Sequence, residues 1–308
     1  MAGSDCADDQ TRRARSWPFR APDIAARSRP GMTTDPDLLD IAESALPGVD
    51  RTKILVTVGE FHDVLVVPGQ AVIKVARGSA VLHLARRARL LDRLSQFDLP
   101  FDVPVPLSDV VTVGSRAAVA LTWVGGEVSA PRRVTPDRLR AVLGALAEVP
   151  LDDVAELLDE PHAYAGRGAW PGLMLDEVVP RLPIDLQAEA ARRIHAALDL
   201  PPVNPRLVHG DLGGDNLRWT SDGAVAGVID WDLAQPFDPA IDAACLASWY
   251  GWDNLSHAVD AETHRRARTW FATFGLEQVA SALDNGEPDR VIAQRVRWTA
   301  QWIRETDA

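Results

Sequence analysis

Short β-branched runs alternate with turn residues in the first third of the chain, and leucines at helical spacing dominate the rest. ILVTV at 54–58, DVLVV at 63–67 and AVIKV at 71–75 read as three strands. Gly59 separates the first two, and Pro68-Gly69, a strong turn signal, separates the second and third. The three form an antiparallel meander. VLHLARRARLLDRLSQF at 81–97 sets leucines on one face and arginines on the other, which predicts a helix closed by Pro100, Pro104 and Pro106. VVTVG at 110–114 and AAVALTWV at 117–124 predict a further hairpin, and 36–46 a short leading helix.

Beyond this point helices take over. VTPDRLRAVLGALAEV at 134–149 reads as a capped helix, with Thr135 leading and Pro136 at the first position. Further helices are predicted over 182–198, 240–249, 259–274, 275–283 and 288–304, with an acidic loop and short helices over 152–176. The fold class is α+β, in two lobes. A small antiparallel-sheet lobe spans 32–122, a linker 123–127, and a mostly helical lobe 128–308, with Gly125-Gly126 permitting a hinge. Residues 1–31 show no periodicity and read as a disordered tail. Either Met32 is the physiological start, or the tail is genuine. No internal repeat is visible.

Bulk properties narrow the function. Of 308 residues, 46% are apolar and 25% charged, as in an ordinary soluble globular chain. A net charge of -12 argues against nucleic acid, whose phosphates need concentrated Lys and Arg, and is compatible with a cationic substrate. Cys6 and Cys245 form neither a disulfide framework nor a metal motif, so a reducing compartment, the cytoplasm, is expected. No run of 18 apolar residues exists to span a membrane. No pattern in the chain speaks to oligomeric state.

The chemistry concentrates in LVHGDLGGDNLRW at 207–219 and VAGVIDWD at 225–232. A hydroxyl nucleophile needs a carboxylate to orient it and accept its proton, and Asp211 is placed for that. The task is mostly positioning, since phosphoryl transfer asks for little covalent chemistry from the protein. Gly213 and Gly214 permit a tight turn, and His209 can hold the loop. Asn216 offers an amide oxygen and Asp230 a carboxylate, the hard donors that Mg2+ prefers. The stretch between them reads as strand, turn at Asp222-Gly223, strand, a hairpin that would return Asp230 to Asn216.

HGDLGGDN followed by IDWD resembles the aminoglycoside phosphotransferase family, small-molecule kinases with a protein-kinase-like fold. The resemblance covers roughly 50–304. It implies Asp211 as catalytic base, Asn216 and Asp230 as magnesium ligands, and His209 as a brace for the loop. IHAALDL at 194–200 resembles the helix end before this loop, with His195 in the usual histidine position. FDPAIDAACL at 237–246 resembles the segment after the metal site, which implies structural roles for Asp238 and Asp242, the latter anchoring the loop from a core helix.

Lys74 is an amine amid apolar alternation in AVIKVA; an inward lysine is costly unless it meets an anion. It is expected to hold the nucleotide α- and β-phosphates. Gly59, Glu60, Phe61 and His62 occupy the place of the phosphate-covering loop, without a GxGxxG pattern. ALTWVGGE at 120–127 matches the family's interlobe linker, so backbone groups of Thr122, Trp123 and Val124 are expected to read the purine of ATP or GTP. One departure stands out. The family places a glutamate in the following helix opposite the strand lysine, whereas 81–97 holds only Asp92 and, nearer the register, His83.

For the acceptor, Asp176, Glu177 and Asp253 are candidate acids, and Trp252, expected outside a helix beside Tyr250, a candidate ring wall for a sugar or a quaternary amine. The expected partner is a small hydroxylated molecule, aminoglycoside-like or another amino or sugar alcohol; macrolide, choline and homoserine kinases are alternatives. A non-catalytic nucleotide-binding pseudokinase is the rival from another class, motivated by the missing glutamate. A protein kinase is disfavoured, since HRD and DFG runs are absent and only WDLAQPFDP follows Asp230 before the next helix. A phosphatase or nuclease would leave Lys74 and the linker without a task.

Overall fold

The computed structural model describes residues 35–58, 62–127, 134–158 and 169–306. The predicted tail, residues 1–31, lies outside them, as do Met32, Gly59, Glu60 and Phe61. The chain forms two compact units, one running to Ala130 and taking in Gly214–Ile229, the other comprising Pro131–Gly213 and Asp230–Ala308. No helix among the described residues is long and apolar enough to cross a membrane.

The first unit opens with α1, Pro36–Ala45, where Asp35 caps by accepting the Asp37 N–H at 3.0 Å and Pro36 presets the first turn. Strands β1 (Leu55–Val58), β2 (His62–Val67) and β3 (Ala71–Ala76) follow, then α2 (Val81–Leu94), β4 (Val111–Val113) and β5 (Arg116–Thr122). All neighbours are antiparallel, in the order β1-β2-β3-β5-β4. The expected meander and hairpin are both present. Pro68-Gly69 turns between β2 and β3, with Gly69 at a φ of 74°. Strand alternation gives the sheet its core face: Leu65, Ile73, Val75, Ala118 and Ala120 pack with Leu38, Ile41, Ala42 and Ala45 of α1.

In the second unit α3, Pro136–Glu148, begins as read, but the Thr135 side chain makes no cap. The Thr135 carbonyl accepts the N–H groups of Arg138 and Leu139 instead. The acidic stretch continues into a helical segment, α-helical over Trp170–Gly172, a π-turn over Leu173–Val178 and 3-10 over Val179–Arg181. Next come α4 (Ile184–Leu198) and β6 (Arg206–Val208). The chain then enters the first unit for β7 (Leu217–Trp219) and β8 (Val225–Val228), the predicted hairpin. This hairpin joins the first unit through backbone bonds: Asp102 N–H to Ala226 O and Val228 N–H to Asp102 O, both 2.9 Å, and a reciprocal pair between Glu127 and Trp219.

Back in the second unit, β9 (Gln235–Phe237) pairs with β6. Helix α5, Ala240–Tyr250, is apolar on nearly every side and buried, as its composition of alanine, leucine and cysteine requires. Then come α6 (Trp252–Ala258), α7 (Ala261–Phe271), α8 (Phe274–Asp284) and α9 (Asp289–Glu305). Two expectations need correction here. Tyr250 closes α5 and is buried, and Trp252 opens α6, so neither lies outside a helix; only Gly251, at a φ of 91°, breaks the chain between them. Asp238 ties β9 to α7 by accepting from Arg266 Nη2 at 2.6 Å and Trp270 Nε1 at 2.7 Å.

Candidate active site

The chain leaves β6 at Val208 and turns through His209-Gly210-Asp211. Gly210 adopts a φ of 82°, and a β-carbon there would collide with the Leu233 backbone, so the turn admits only glycine. Asp242, buried in the first turn of α5, accepts the His209 N–H at 2.8 Å on one oxygen and the Gly210 N–H at 3.0 Å on the other. The His209 ring, fully buried, accepts the Asp211 N–H on Nδ1 at 3.2 Å, which assigns its own proton to Nε2. That ring lies against Trp231, centroids 4.9 Å apart. Gly213 donates to the Asp211 carbonyl at 2.8 Å. The N–H groups of residues 209, 210, 211 and 213 are each held, while Asp211 itself stays exposed.

The electrostatics behind the loop follow from that burial. Loss of solvent pushes the Asp242 carboxyl up to about 7, against the pull of its two N–H donors and with a further push from the Asp211 charge. Burial, then the charges of Asp211 and Asp242, push the Cys245 thiol well above its usual range.

Asn216 ends the single turn Gly214–Asn216. Its carbonyl accepts the Ile229 N–H at 2.9 Å, and Leu217 pairs with Val228, so the hairpin returns the chain to Asn216 at the residue before Asp230. Asp230 has a φ of 66° and ψ of 62°, the one positive φ outside glycine among the described residues. Among them, no three His, Cys, Asp or Glu residues converge as a metal cage. Asn216 offers an amide oxygen and Asp230 a carboxylate, donor types that hard cations take.

Lys74 sits at the centre of β3, half-buried, with Val64 and Val119 as its cross-strand neighbours. His62, the one residue of the expected phosphate-covering loop within the described residues, begins β2 and is buried opposite Ala76. Asp92 of α2 is exposed and accepts from Gln96, and His83 meets Arg86 at 3.0 Å. In the linker, Thr122 donates its N–H to Val105 O at 2.8 Å and accepts the Val105 N–H on Oγ1 at 2.9 Å. Trp123 is 39% exposed, and Val124 is buried against Gly227.

Of the acceptor-side candidates, Asp176 and Glu177 lie exposed on the π-turn, and Glu177 pairs with Arg181 at 2.8 Å. Asp253 is exposed in α6. Trp252 packs within the second unit: the Arg268 guanidinium lies 4.5 Å from its centroid, and His264 and Phe271 meet it in edge-on contacts. The reading of the sequence missed Trp231, though its place directly after Asp230 was a signal, and the seat of Trp249 on Gly213. His195 is exposed on α4.

A two-unit fold with a sheet-based first unit, together with a clamped HGD loop, defines a kinase-like phosphotransferase. Residues 58–281 match the model of the phosphotransferase enzyme family, and the chain belongs to that family. A viomycin phosphotransferase from Streptomyces vinaceus is 30% identical over 272 residues, covering 82% of this chain and 94% of that protein. Among solved structures, the GDP and kanamycin complex of APH(2")-IIia superposes with a TM-score of 0.71 at 16% identity, covering 87% of this chain and 97% of that one. The macrolide 2'-phosphotransferase MphH from Brachybacterium faecium gives 0.61 at 20%, covering 88% and 99%. These likenesses show the two-lobed kinase-like fold, and the family membership makes the protein an enzyme.

Proposed function

We propose that this phosphotransferase moves the γ-phosphoryl group of ATP or GTP directly to a hydroxyl of a small molecule, aminoglycoside-like or another amino or sugar alcohol. Residues 32–122 take the nucleotide, with Lys74 steadying its phosphates; 123–127 link the lobes; 128–308 carry the catalytic loop and the acceptor pocket. Asp211 orients the acceptor hydroxyl and takes its proton. The observation that carries this reading is the fastening of residues 209–213, which leaves one exposed carboxylate on an otherwise fixed turn. Positioning of that kind is what the reaction asks of a protein.

Asn216 and Asp230 would hold Mg2+, whose contribution when bound is to neutralise charge on the transferring phosphates. Solved relatives carry GDP, ATP or ADP in their complexes, which supports a purine nucleotide donor. Viomycin belongs first in the acceptor panel because a viomycin phosphotransferase is 30% identical. Kanamycin and streptomycin, named in complexes of similar fold, come next.

The test is product mass after incubation with magnesium, each nucleotide and each acceptor. One acceptor gains one phosphoryl mass. Asp211→Ala abolishes that gain and leaves nucleotide binding nearly intact; near-native turnover of D211A would show the base is misassigned. A non-catalytic nucleotide-binding pseudokinase is the alternative from another class. It predicts tight nucleotide binding and no product on any acceptor.

A further inference from the structure

Asp242, Cys245 and Trp249 are spaced i, i+3 and i+7 along α5, one stripe of a helix. This stripe follows the catalytic loop in the loop's own order. Asp242 takes the N–H groups of His209 and Gly210. Cys245 Sγ lies 4.0 Å from the Gly210 carbonyl. Trp249 covers Gly213, where a β-carbon would fall 2.6 Å from the indole Nε1 and 3.2 Å from Cδ1. The pyrrole edge of the indole therefore fills the place a side chain would take. The N–H of Gly213 closes the turn onto the Asp211 carbonyl, so a displacement at 213 is a displacement of Asp211.

We propose that Trp249 is a positioning residue: its indole, seated in the notch left by Gly213, sets the turn that aims the Asp211 carboxylate. The proposal rests on the reading of Asp211 as the base and adds a second fastening beyond Asp242. Asp242 holds the start of the loop through two hydrogen bonds, whereas Trp249 holds its end through shape. Shape alone makes the position sensitive to volume from both sides, and that gives the test.

Trp249→Ala should lower kcat by about 10²-fold, the scale of a ~1 Å misplacement of a reacting group, with acceptor KM and nucleotide affinity little changed. Trp249→Phe, which keeps an aromatic plate, should recover most of the loss. Gly213→Ala pushes a methyl into the occupied notch and should also slow turnover. The double variant G213A/W249A should then be faster than G213A alone, because the methyl finds room, a coupling that independent sites do not show. Amide exchange at Gly213 should rise in W249A. A purely structural tryptophan would instead lower the melting temperature of W249A and leave kcat per folded molecule unchanged, which overturns the proposal. Unchanged Gly213 exchange in W249A, with D211A inactive, would overturn the seating alone. Near-native turnover of D211A would remove the base, and with it any role for Trp249 in aiming it.

Discussion

Asp242→Asn separates the two things a buried carboxylate does behind the catalytic loop. The side chain is fully enclosed, and burial pushes its carboxyl up to about 7 from an ordinary 3.8. Between those values the native state holds a proton that the unfolded chain has released. Stability from this group is therefore fully present below pH 3.8 and is lost as pH rises through 7. A displacement of about three pH units is worth ~4 kcal/mol over the whole window, and roughly 2–3 kcal/mol of it falls between pH 5 and pH 8. Asparagine does not titrate. It keeps one oxygen for the His209 or Gly210 N–H and turns an NH2 towards the other, leaving one buried donor unmatched at a cost of about 1–3 kcal/mol. Urea denaturation of both proteins at pH 5, 6, 7 and 8 isolates the term, since the other titrating groups are common to both chains. The advantage of the wild type over D242N should shrink steadily as pH rises. A gap that stays constant, or widens in favour of the wild type at high pH, would refute the claim that this carboxylate is burdened by burial.

Three further substitutions probe other parts of the frame. Asp238→Ala strands the buried Arg266 guanidinium and the Trp270 N–H and should cost about 3–5 kcal/mol in chemical denaturation. Gly275→Ala drives a methyl into the Trp302 ring where α8 meets α9 and should cost about 1–3 kcal/mol, with KM for either substrate unmoved. Asp230→Gly relieves a left-handed non-glycine residue and should raise stability by about 1 kcal/mol while abolishing turnover, read by melting temperature and product mass on the same sample.

Local chemistry was the legible part of this chain. Pro68-Gly69 forces a turn whatever surrounds it, and β2 and β3 fall on either side as their β-branched runs predict. The 217–228 hairpin followed from the Asp222-Gly223 turn alone. What failed needed tertiary information. Helix α6 is only seven residues long and starts directly after Gly251, so no periodicity announces it. The Thr135 hydroxyl has the right type and place for a cap, yet the backbone carbonyl does that work. Trp252 read as lying outside a helix because its glycine neighbour hid the helix that carries it; its face meets Arg268 of α7. Asp242 was readable only by resemblance. An acid inside an apolar helix is an anomaly in any sequence, and its meaning appears only when the His209 and Gly210 amides lie against it.

Asp230 bears on the catalytic reading of the site. A left-handed aspartate costs of order 1–3 kcal/mol unless something requires it, and glycine would adopt the same φ of 66° without that cost. The Asp242 burial is a second cost of the same kind, since an apolar residue there would need no solvation, but would leave the His209 and Gly210 amides unmatched. A protein that only bound nucleotide would have no use for a rigid turn beneath an exposed Asp211, and drift would relieve both burdens. Two destabilising carboxylates kept together, one at the proposed metal site and one under the proposed base, favour the catalytic reading over the pseudokinase. The stability of D230G and the pH dependence of the gap between wild type and D242N decide the matter physically: if D230G does not relieve the fold and the gap does not change with pH, the two residues carry no hidden cost, and their presence says nothing about catalysis.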